Sequence, residues 1–381
     1  MIASDTLVNV FIDANILLIV AFTLWNVARF GLNRFGVKHA YMTELHLLNG
    51  VFIAIIASPV VILAIDAIQS FGIAKNVSVN FSDMVVSHYL NGGLQMSASK
   101  FERLLLARDT FTQDVVGAAG WVAQLAIAAF LTGLVVGTGR FVFSALTLRR
   151  IVAKSHSWRR FGRVRVQVSD TTLVPFSTRG LRNYYVVLPS DILTNKKELS
   201  VSLAHEFQHL RQGDIEWEIL LEILKPIFFL NPAFHAWKRK VEDLRELACD
   251  GQVIARGRIC VREYCETLLA VCQQTLRKDR SFVAAVPKVT LVTAERSTIG
   301  HPKESLLERR ISSMLSAQRL DRPRWVFVAL ALPISAATIF FAVAIQSPGD
   351  WSHDRLMLST VVNLERLDEI NRLSATATWR R

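Results

Sequence analysis

Four long runs of this chain contain almost no charged residues. The run between Asp114 and Arg140, for example, holds 25 consecutive uncharged residues. A helix needs about 20 apolar residues to cross the hydrocarbon core of a bilayer, and core helices of soluble proteins rarely stay uncharged for so long. The runs therefore predict a polytopic α-helical membrane protein with four transmembrane helices, at about 7–27, 47–66, 115–139 and 325–346.

The basic residues near the first run lie after it and not before it. Residues 1–6 contain one acid and no base, whereas Arg29, Arg34 and Lys38 follow the run. A removable signal peptide would need basic residues before its apolar stretch. Because basic residues flank the cytoplasmic ends of membrane helices, we expect the N-terminus of this chain to lie outside.

Four crossings from an outside start place residues 147–324 in the cytoplasm, and the loop 69–114 and the tail 347–381 outside. The charge distribution agrees, because residues 147–324 hold 31 Lys and Arg against 19 Asp and Glu, the whole formal net charge of +12. A basic segment can also indicate nucleic-acid binding, but this one contains no nucleic-acid-binding motif. We therefore expect contact with membrane lipid and no direct binding of nucleic acid.

The cytoplasmic segment is long enough for one domain of ordinary size, and its pattern mixes strands with helices. The stretch RVRVQVSD alternates as a half-buried strand does. A turn-rich patch, VPFSTRGLRN, separates it from a second strand, YYVVLP, which ends at a proline. Helical periodicity begins at about residue 195. The segment therefore predicts an α+β domain.

Residues 205–209 read His-Glu-Phe-Gln-His, an HExxH motif. Upstream, Asn195 and Glu198 have the spacing of a capping box at a helix start. Downstream, Gly213 is suited to end a helix. The sequence therefore predicts that the motif lies in the middle of a helix.

A helix suits the motif to metal-assisted hydrolysis. Positions four apart share one face of a helix, so His205 and His209 can bind the same zinc ion. Glu206, next to the first ligand, can polarise a zinc-bound water and accept its proton. Glu206 is therefore the predicted catalytic base.

A second predicted helix carries a pair of acids. Asn231-Pro232 suits a helix start, because proline is tolerated in the first turn, and the pattern continues to Gly257. Glu246 and Asp250 lie four residues apart on it and share a face. A catalytic zinc takes three protein ligands and a water, so this helix is the expected source of the third ligand.

Two interpretations of the acid pair remain open. Glu246 can complete the zinc site while Asp250 hydrogen-bonds a ligand imidazole. Alternatively, both acids lie on a solvated face and pair with Arg245 or Lys240. The HExxH motif on the preceding helix favours the zinc site.

The segments HEFQHLRQGD, FFLNPAFHAW and LRELACD resemble those of the BlaR/MecR-type antirepressor membrane metallopeptidases, which are gluzincins. The resemblance implies one Zn²⁺ bound by His205, His209 and Glu246, with Glu206 as general base. It also implies a cytoplasmic α+β minigluzincin-like peptidase domain in a bacterial-type inner membrane. The stretch VPFSTRG…YYVVLP looks like that family's β-hairpin. By the same resemblance, YYVVL is expected to be the edge strand along which a peptide substrate lies.

Three further expectations accompany the resemblance. Well-known members carry an external penicillin-binding sensor domain after the fourth helix, and we expect that domain to be absent because only residues 347–381 follow. Members cleave themselves near the end of the cytoplasmic loop, where Arg309-Arg310 is a candidate site unless it belongs to a basic amphipathic helix. Tyr264 is a candidate hydrogen-bond donor to the transition state.

Three functions are consistent with these features. The first is a signal-transducing regulatory protease that cleaves itself or a cytoplasmic DNA-binding repressor. The second is a housekeeping membrane protease of the HtpX or prenyl-protease kind, in which the downstream Glu typically lies further away than the 37 residues between His209 and Glu246. The third is a non-enzymatic receptor with a vestigial peptidase fold, which the intact HExxH motif argues against.

Overall fold

The computed structural model of this chain describes residues 4–34, 40–70, 81–118, 120–277, 306–316 and 353–378, with isolated positions between 329 and 340. It divides into two compact units. One comprises Met1–Gly36, Asn49–Leu131 and Ala329–Arg381, and the other comprises Val37–Leu48 and Thr132–Val328. The candidate metal site lies wholly in the second unit.

Three of the four predicted membrane runs form long helices. Among the described residues, three helices are long and apolar enough to cross a membrane, at Val8–Arg34, Tyr41–Ser58 and Gly120–Lys154. They belong to α1 (Ser4–Arg34), α2 (Tyr41–Ser70) and α5 (Gly120–Lys154). Most of the fourth run, 325–346, lies outside the described residues.

Helix α5 continues past the predicted end of its run at residue 139 as far as Lys154. Neither glycine nor proline interrupts residues 141–154, so nothing in the local sequence ends the helix where charge reappears. Ile151 near its end packs with Phe176 and Val187 of the sheet. The helix that leaves the apolar run is therefore also an element of the second unit.

The first unit contains three further helices in the predicted external segments. These are α3 (Phe81–Leu90), α4 (Ala98–Val116) and, in the tail, α11 (His353–Thr378). Helix α4 contains the segment KFERLLLARDTF. Leu358 and Val362 of α11 pack with Val86, Ala98 and Phe101 of α3 and α4. The tail therefore adds a helix to this unit instead of forming a domain of its own.

The second unit begins with a small sheet of four strands in the described residues. They are β1 (His156–Phe161), β2 (Val164–Ser169), β3 (Phe176–Arg179) and β4 (Tyr184–Pro189). The strand order is β1-β2-β4-β3, with β2 and β4 parallel and the two outer pairs antiparallel. The predicted strands RVRVQVSD and YYVVLP are confirmed, and so is the β3–β4 hairpin. The patch VPFSTRGLRN was predicted to be turn-rich, yet part of it forms β3.

The prediction that YYVVL is an edge strand was wrong. Strand β4 lies between β2 and β3, and Val186, Val187 and Leu188 within it are fully buried. Successive side chains of a strand point to opposite faces, so this unbroken buried run marks a strand covered on both sides. The edges of the sheet belong to β1 and β3.

Helices α6 to α10 complete the second unit. They are α6 (Lys196–Gln212), α7 (Asp214–Leu224), α8 (Pro232–Ala255), α9 (Val261–Arg277) and α10 (Leu306–Ser316). The apolar face of α6, with Leu199, Leu203, Phe207 and Leu210, packs on Val166, Val186 and Leu188 of the sheet. Burying one such side chain contributes about 1.5–3 kcal/mol, so this face fixes the helix while its other face carries the polar site.

Candidate metal site

Helix α6 carries the HExxH motif between well-defined ends. The side chain of Asn195 accepts a hydrogen bond from the backbone N–H of Lys197 at 3.1 Å, and its amide donates to Glu198 at 2.8 Å. Gly213 closes the helix in the left-handed conformation, with φ 73°. The predicted mid-helix position of the motif is confirmed, and His205, Glu206 and His209 are fully buried.

Three potential ligand side chains meet between α6 and α8. The Nε2 atoms of His205 and His209 are 3.0 Å apart, and carboxylate oxygens of Glu246 lie 3.6 Å from the first and 3.7 Å from the second. Tetrahedral zinc with ligands at 2.0–2.1 Å would hold its ligand atoms about 3.4 Å from one another. The three side chains are therefore spaced to bind one zinc ion.

Cys249 offers an alternative third ligand, since its sulfur and the two imidazoles form a group within 4.8 Å of one another. Its sulfur, however, lies 3.4 Å from Nδ1 of His205 and 3.6 Å from the carbonyl oxygen of the same residue. That is the side of the ring opposite the paired Nε2 atoms. The geometry therefore favours Glu246 over Cys249 as the third ligand.

Each imidazole is hydrogen-bonded through its Nδ1 atom, on the side of the ring away from Nε2. Nδ1 of His209 lies 2.7 Å from Oδ2 of Asp214, and Nδ1 of His205 lies 2.6 Å from the hydroxyl of Tyr264. The Tyr264 hydroxyl donates to Oδ1 of Asp250 at 2.6 Å, so it accepts from the Nδ1–H of His205. Nε2 of each ring is then left to bind a metal, as such outer partners usually ensure.

These contacts differ in detail from the sequence-based predictions. Asp250 reaches His205 mainly through Tyr264, since its own oxygen is 3.5 Å from Nδ1. The Tyr264 hydroxyl lies on the Nδ1 side of that ring and not on the metal-facing side where a transition-state donor is needed. Asp214 was not singled out. The sequence feature that could have identified Asp214 as a partner of His209 is its position, directly after the helix-ending Gly213 and five residues beyond His209.

Arg310 enters the site from α10. Its guanidinium contacts Glu246 at 3.0 Å and makes two hydrogen bonds of 2.7 Å with Asp250. Burial alone would raise the pKa of Glu246, but Arg310 and the two imidazoles lower that pKa to about 2. The acid pair of α8 is therefore buried and ionised, which excludes the alternative of a solvated face.

The placement of α10 also bears on the candidate self-cleavage site. The Arg309-Arg310 bond lies inside a helix, the Arg310 side chain is 2% exposed, and Arg309 contacts Asp243 at 3.3 Å. A peptidase needs an extended, accessible segment, so this arrangement does not support cleavage between these residues. The segment instead forms helix α10, which agrees with the alternative prediction of an amphipathic helix.

Glu206 lies beside the three donors without a hydrogen-bond partner among the described residues. Both of its carboxylate oxygens are buried and unsatisfied, and strand β3 brings Ser177 near them. Burial raises the pKa of Glu206, and the neighbouring imidazoles oppose this only in part. A buried carboxylate with unused acceptors and a raised pKa is suited to take a proton from a water molecule near neutral pH.

Comparison with known proteins agrees with this geometry. The model of the family described as BlaR1 peptidase M56 matches residues 7–296, which is most of the chain. The methicillin resistance mecR1 proteins of Staphylococcus aureus and Staphylococcus epidermidis are each 31% identical over 77 residues. That match covers 20% of this chain and 13% of the length of those relatives. On the extent of the family match, the chain belongs to the BlaR1 peptidase M56 family of metallopeptidases.

Proposed function

We propose that this protein is a membrane-embedded zinc metalloendopeptidase that transmits a signal by cleaving itself or a cytoplasmic repressor. The observation that carries the proposal is the meeting of the two Nε2 atoms and the Glu246 carboxylate at zinc-binding distances, with Glu206 alongside. Membership of the peptidase family supports the chemistry, and similarity to mecR1 proteins supports the regulatory role.

In the proposed reaction, His205, His209 and Glu246 hold the zinc. When bound, zinc lowers the pKa of a water ligand and polarises the scissile carbonyl. Glu206 accepts the proton of that water and later donates it to the nitrogen of the leaving amine. Asp214 and Tyr264 keep both imidazoles in the tautomer that presents Nε2. Arg310 holds Glu246 and Asp250 in place.

Strand β3 is the proposed docking edge for the substrate. It pairs with β4 on one side, no other strand pairs with it among the described residues, and its Ser177 lies near Glu206. Phe176, Ser177 and Thr178 are buried, so docking requires the residues that cover this edge to move aside. An extended peptide that adds to this edge would bring a backbone carbonyl past the catalytic base. This assignment replaces YYVVL, whose strand has neighbours on both sides.

The four-crossing topology, with the peptidase domain in the cytoplasm, belongs to the proposal as well. The long helices α1, α2 and α5 support it, together with the basic excess of residues 147–324. The 37 residues between His209 and Glu246 favour a regulatory enzyme over one of the HtpX or prenyl-protease kind. The zinc-spaced donors argue against a receptor with a vestigial fold.

The test compares wild type with Glu206→Gln in native membranes. A repressor encoded by a neighbouring gene is co-expressed with each protein. Glu222→Gln is a matched control, because Glu222 lies on α7 away from the donors. All three proteins should bind about one zinc, since the three ligands are intact. Wild type and the control should produce fragments of the chain or the repressor, and Glu206→Gln should slow this by about 10²–10⁴-fold.

The outcomes separate the alternatives. Zinc binding with fragments of many unrelated membrane proteins would favour the housekeeping protease. Normal signalling by wild type without bound zinc would favour the receptor. Equal fragment yields from wild type and Glu206→Gln would show that another protease makes the cuts, and the proposal would fail.

A further inference from the structure

Helix α7 and the residues after it present an exposed apolar stripe. Ile219, Ile223, Ile227 and Leu230 are 37%, 48%, 37% and 68% exposed. Their spacing of four, four and three residues places them on one helical face. The backbone remains helix-like beyond α7, because Phe228 N–H bonds to the Leu224 carbonyl at 3.0 Å. The stripe is therefore one continuous surface and not a set of scattered side chains.

The acids of α7 all turn away from this stripe. Glu216 accepts hydrogen bonds from Arg179 at 3.0 Å and from Tyr184 at 2.6 Å. Glu218 is buried between Lys238 and Arg245, each at 2.7 Å or less.

The third acid, Glu222, lies 3.2 Å from Lys238 and 3.5 Å from Lys225. A helix facing water normally carries its charges on the outer face. Here each acid of α7 after Asp214 is paired with a cation of the protein, and Lys225 is the exposed charge of the segment.

The segment after α7 packs against a helix of membrane-spanning length. Phe229 lies on Gly133 of α5, and Pro226 on Gly137, where an added Cβ would come within 3.2 Å of the proline Cα. Both glycines lie in the uncharged run that ends at Arg140. At 1.5 Å per residue, Gly133 is about 10 Å deeper along the helix than Arg140. The loop 225–230 therefore reaches the level of the apolar run.

The cavity between these elements measures about 2220 Å³ and opens along α5. Its lining includes the apolar residues Val136 and Phe143 of α5, basic residues such as Arg140 and Arg149, and acidic residues such as Glu222. Apolar residues of α5 therefore line the same cavity as the charged residues of α7.

We propose that α7 and residues 225–230 are seated in the cytoplasmic leaflet, with the isoleucine stripe in contact with lipid acyl chains. The partner is the bilayer itself, and the element lies in the interface without crossing it. The proposal rests on α5 spanning the membrane, and it is independent of peptidase activity. It places the zinc ligand His209, five residues before α7, close to the membrane surface.

The test places an environment-sensitive fluorophore at single cysteines in the full chain, reconstituted in phosphatidylcholine–phosphatidylglycerol vesicles. The background carries Cys260→Ser, Cys265→Ser and Cys272→Ser, and the buried Cys249 remains. Labels go to Ile223→Cys and Ile227→Cys. Val135→Cys on the outer face of α5, 70% exposed, is the lipid control. Arg262→Cys on α9, with a side chain 87% exposed, is the water control.

Lipids with a spin label on the acyl chain should quench the labels at 223 and 227 as strongly as the label at 135. Aqueous iodide should quench only the label at 262. Iodide quenching at 223 or 227 equal to that at 262 would overturn the proposal. Blue-shifted emission that lipid spin labels leave unchanged would also overturn it, because a protein surface would then cover the stripe. A label at 135 that lipids do not quench would remove the premise about α5 instead, whatever the peptidase activity.

Discussion

Helix α8 contributes to two buried clusters of charge on different faces, and they are built differently. In the cluster near α7, Lys238 and Arg245 face Glu218 and Asp214, so two buried cations balance two buried acids. In the metal cluster, Arg310 faces Glu246 and Asp250, and the pKa values of His205 and His209 are raised, so the two imidazoles carry further positive charge in the zinc-free site. The metal cluster therefore contains cations that can lose their charge, whereas the lysine and arginine of the cluster near α7 keep theirs.

That difference separates a structural cluster from a functional one. Unsatisfied polar atoms occur in both, including two guanidinium nitrogens of Arg245, so their presence does not discriminate between the clusters. The kind of cation does, because a neutral imidazole binds zinc and a lysine or arginine does not. A divalent cation at the meeting point of the donors would replace the charge that the two imidazoles lose when they bind it.

The largest effect is expected in the balanced cluster. Glu218→Gln leaves Arg245 and Lys238 without their shared buried carboxylate and should cost about 3–5 kcal/mol of folding free energy. For a unit of this size, that lowers Tm by on the order of 10 °C in a thermal unfolding scan. Added zinc should not recover the loss. The control is Glu222→Gln, whose half-buried carboxylate should contribute much less. Loss of zinc with normal Tm would contradict the assignment of this cluster to structure.

Arg310→Met should destabilise the zinc-free protein by a similar amount, because it leaves the buried carboxylates of Glu246 and Asp250 without their guanidinium partner. Unlike Glu218→Gln, this variant should recover most of its Tm when zinc is added, since the ion takes the place of Arg310 beside the Glu246 carboxylate. Arg309→Met, at a partly exposed neighbour, is the matched control. Equal loss with and without zinc would show that Arg310 serves only to attach α10.

Glu246→Gln should weaken zinc binding by more than the about 10–100-fold that loss of an outer partner costs, because a direct ligand is changed. The zinc-free variant should unfold below the temperature of zinc-free wild type, because it lacks the ionised carboxylate that Arg310 and the imidazoles stabilise. Competition with a fluorescent chelator measures the affinity. Glu242→Gln, one turn earlier on α8, should bind zinc normally. If Glu246→Gln keeps its zinc and Cys249→Ser loses it, the thiol is the ligand.

The smallest effect concerns pH. Burial by itself lowers the pKa of His209, but the Cys249 sulfur and the Asp214 hydrogen bond raise the pKa to about 10 in the zinc-free site. The protonated ring stabilises the zinc-free fold below pH 6.5, and that contribution is lost as pH rises through 10. Zinc requires neutral rings, and the pKa of His205 is raised in the zinc-free site as well, so binding should release protons and strengthen by at least about tenfold per pH unit between 6.5 and 10.

Zinc titrations at several pH values, with proton release followed in weak buffer, test this expectation. Asp214→Asn should lower the pKa of His209 and flatten the slope. The balanced cluster should not titrate in this window, because Lys238 has a raised pKa and Glu218 a lowered one. An affinity independent of pH in the wild type would show that His209 is neutral before zinc arrives.

Much of the candidate metal site could be predicted from the local sequence. The capping residues Asn195 and Gly213 bound the ligand helix, Asn231-Pro232 begins the next one, and the spacing of Glu246 and Asp250 puts both on one face. Each of these signals depends on residues within one or two helical turns. The helix boundaries and the shared helix face depend on local backbone chemistry, so tertiary contacts alter them little.

The missing parts depend on contacts that are distant in sequence. Arg310 reaches Asp250 across 60 residues, and nothing in SLLERRISSML distinguishes a buried arginine from an exposed one. The interior position of β4 follows from its parallel pairing with β2. No turn motif in the sequence indicates such a parallel pairing, so the sequence did not predict it. The extension of α5 to Lys154 is stabilised by packing on the sheet, so a charge-based boundary underestimates it.

Gly213 joins α6 to α7 through a single residue, and Asp214 is the first residue of α7. The 11 residues of α7 form an arm about 16 Å long, whose far end carries the isoleucine stripe. Glu216 accepts hydrogen bonds from Tyr184 and Arg179, and Glu218 accepts them from Lys238 and Arg245, so the arm is fastened to the sheet and to α8. Asp214, which orients His209, belongs to the same fastened frame. The metal ligand and the isoleucine stripe are therefore two ends of one rigid lever.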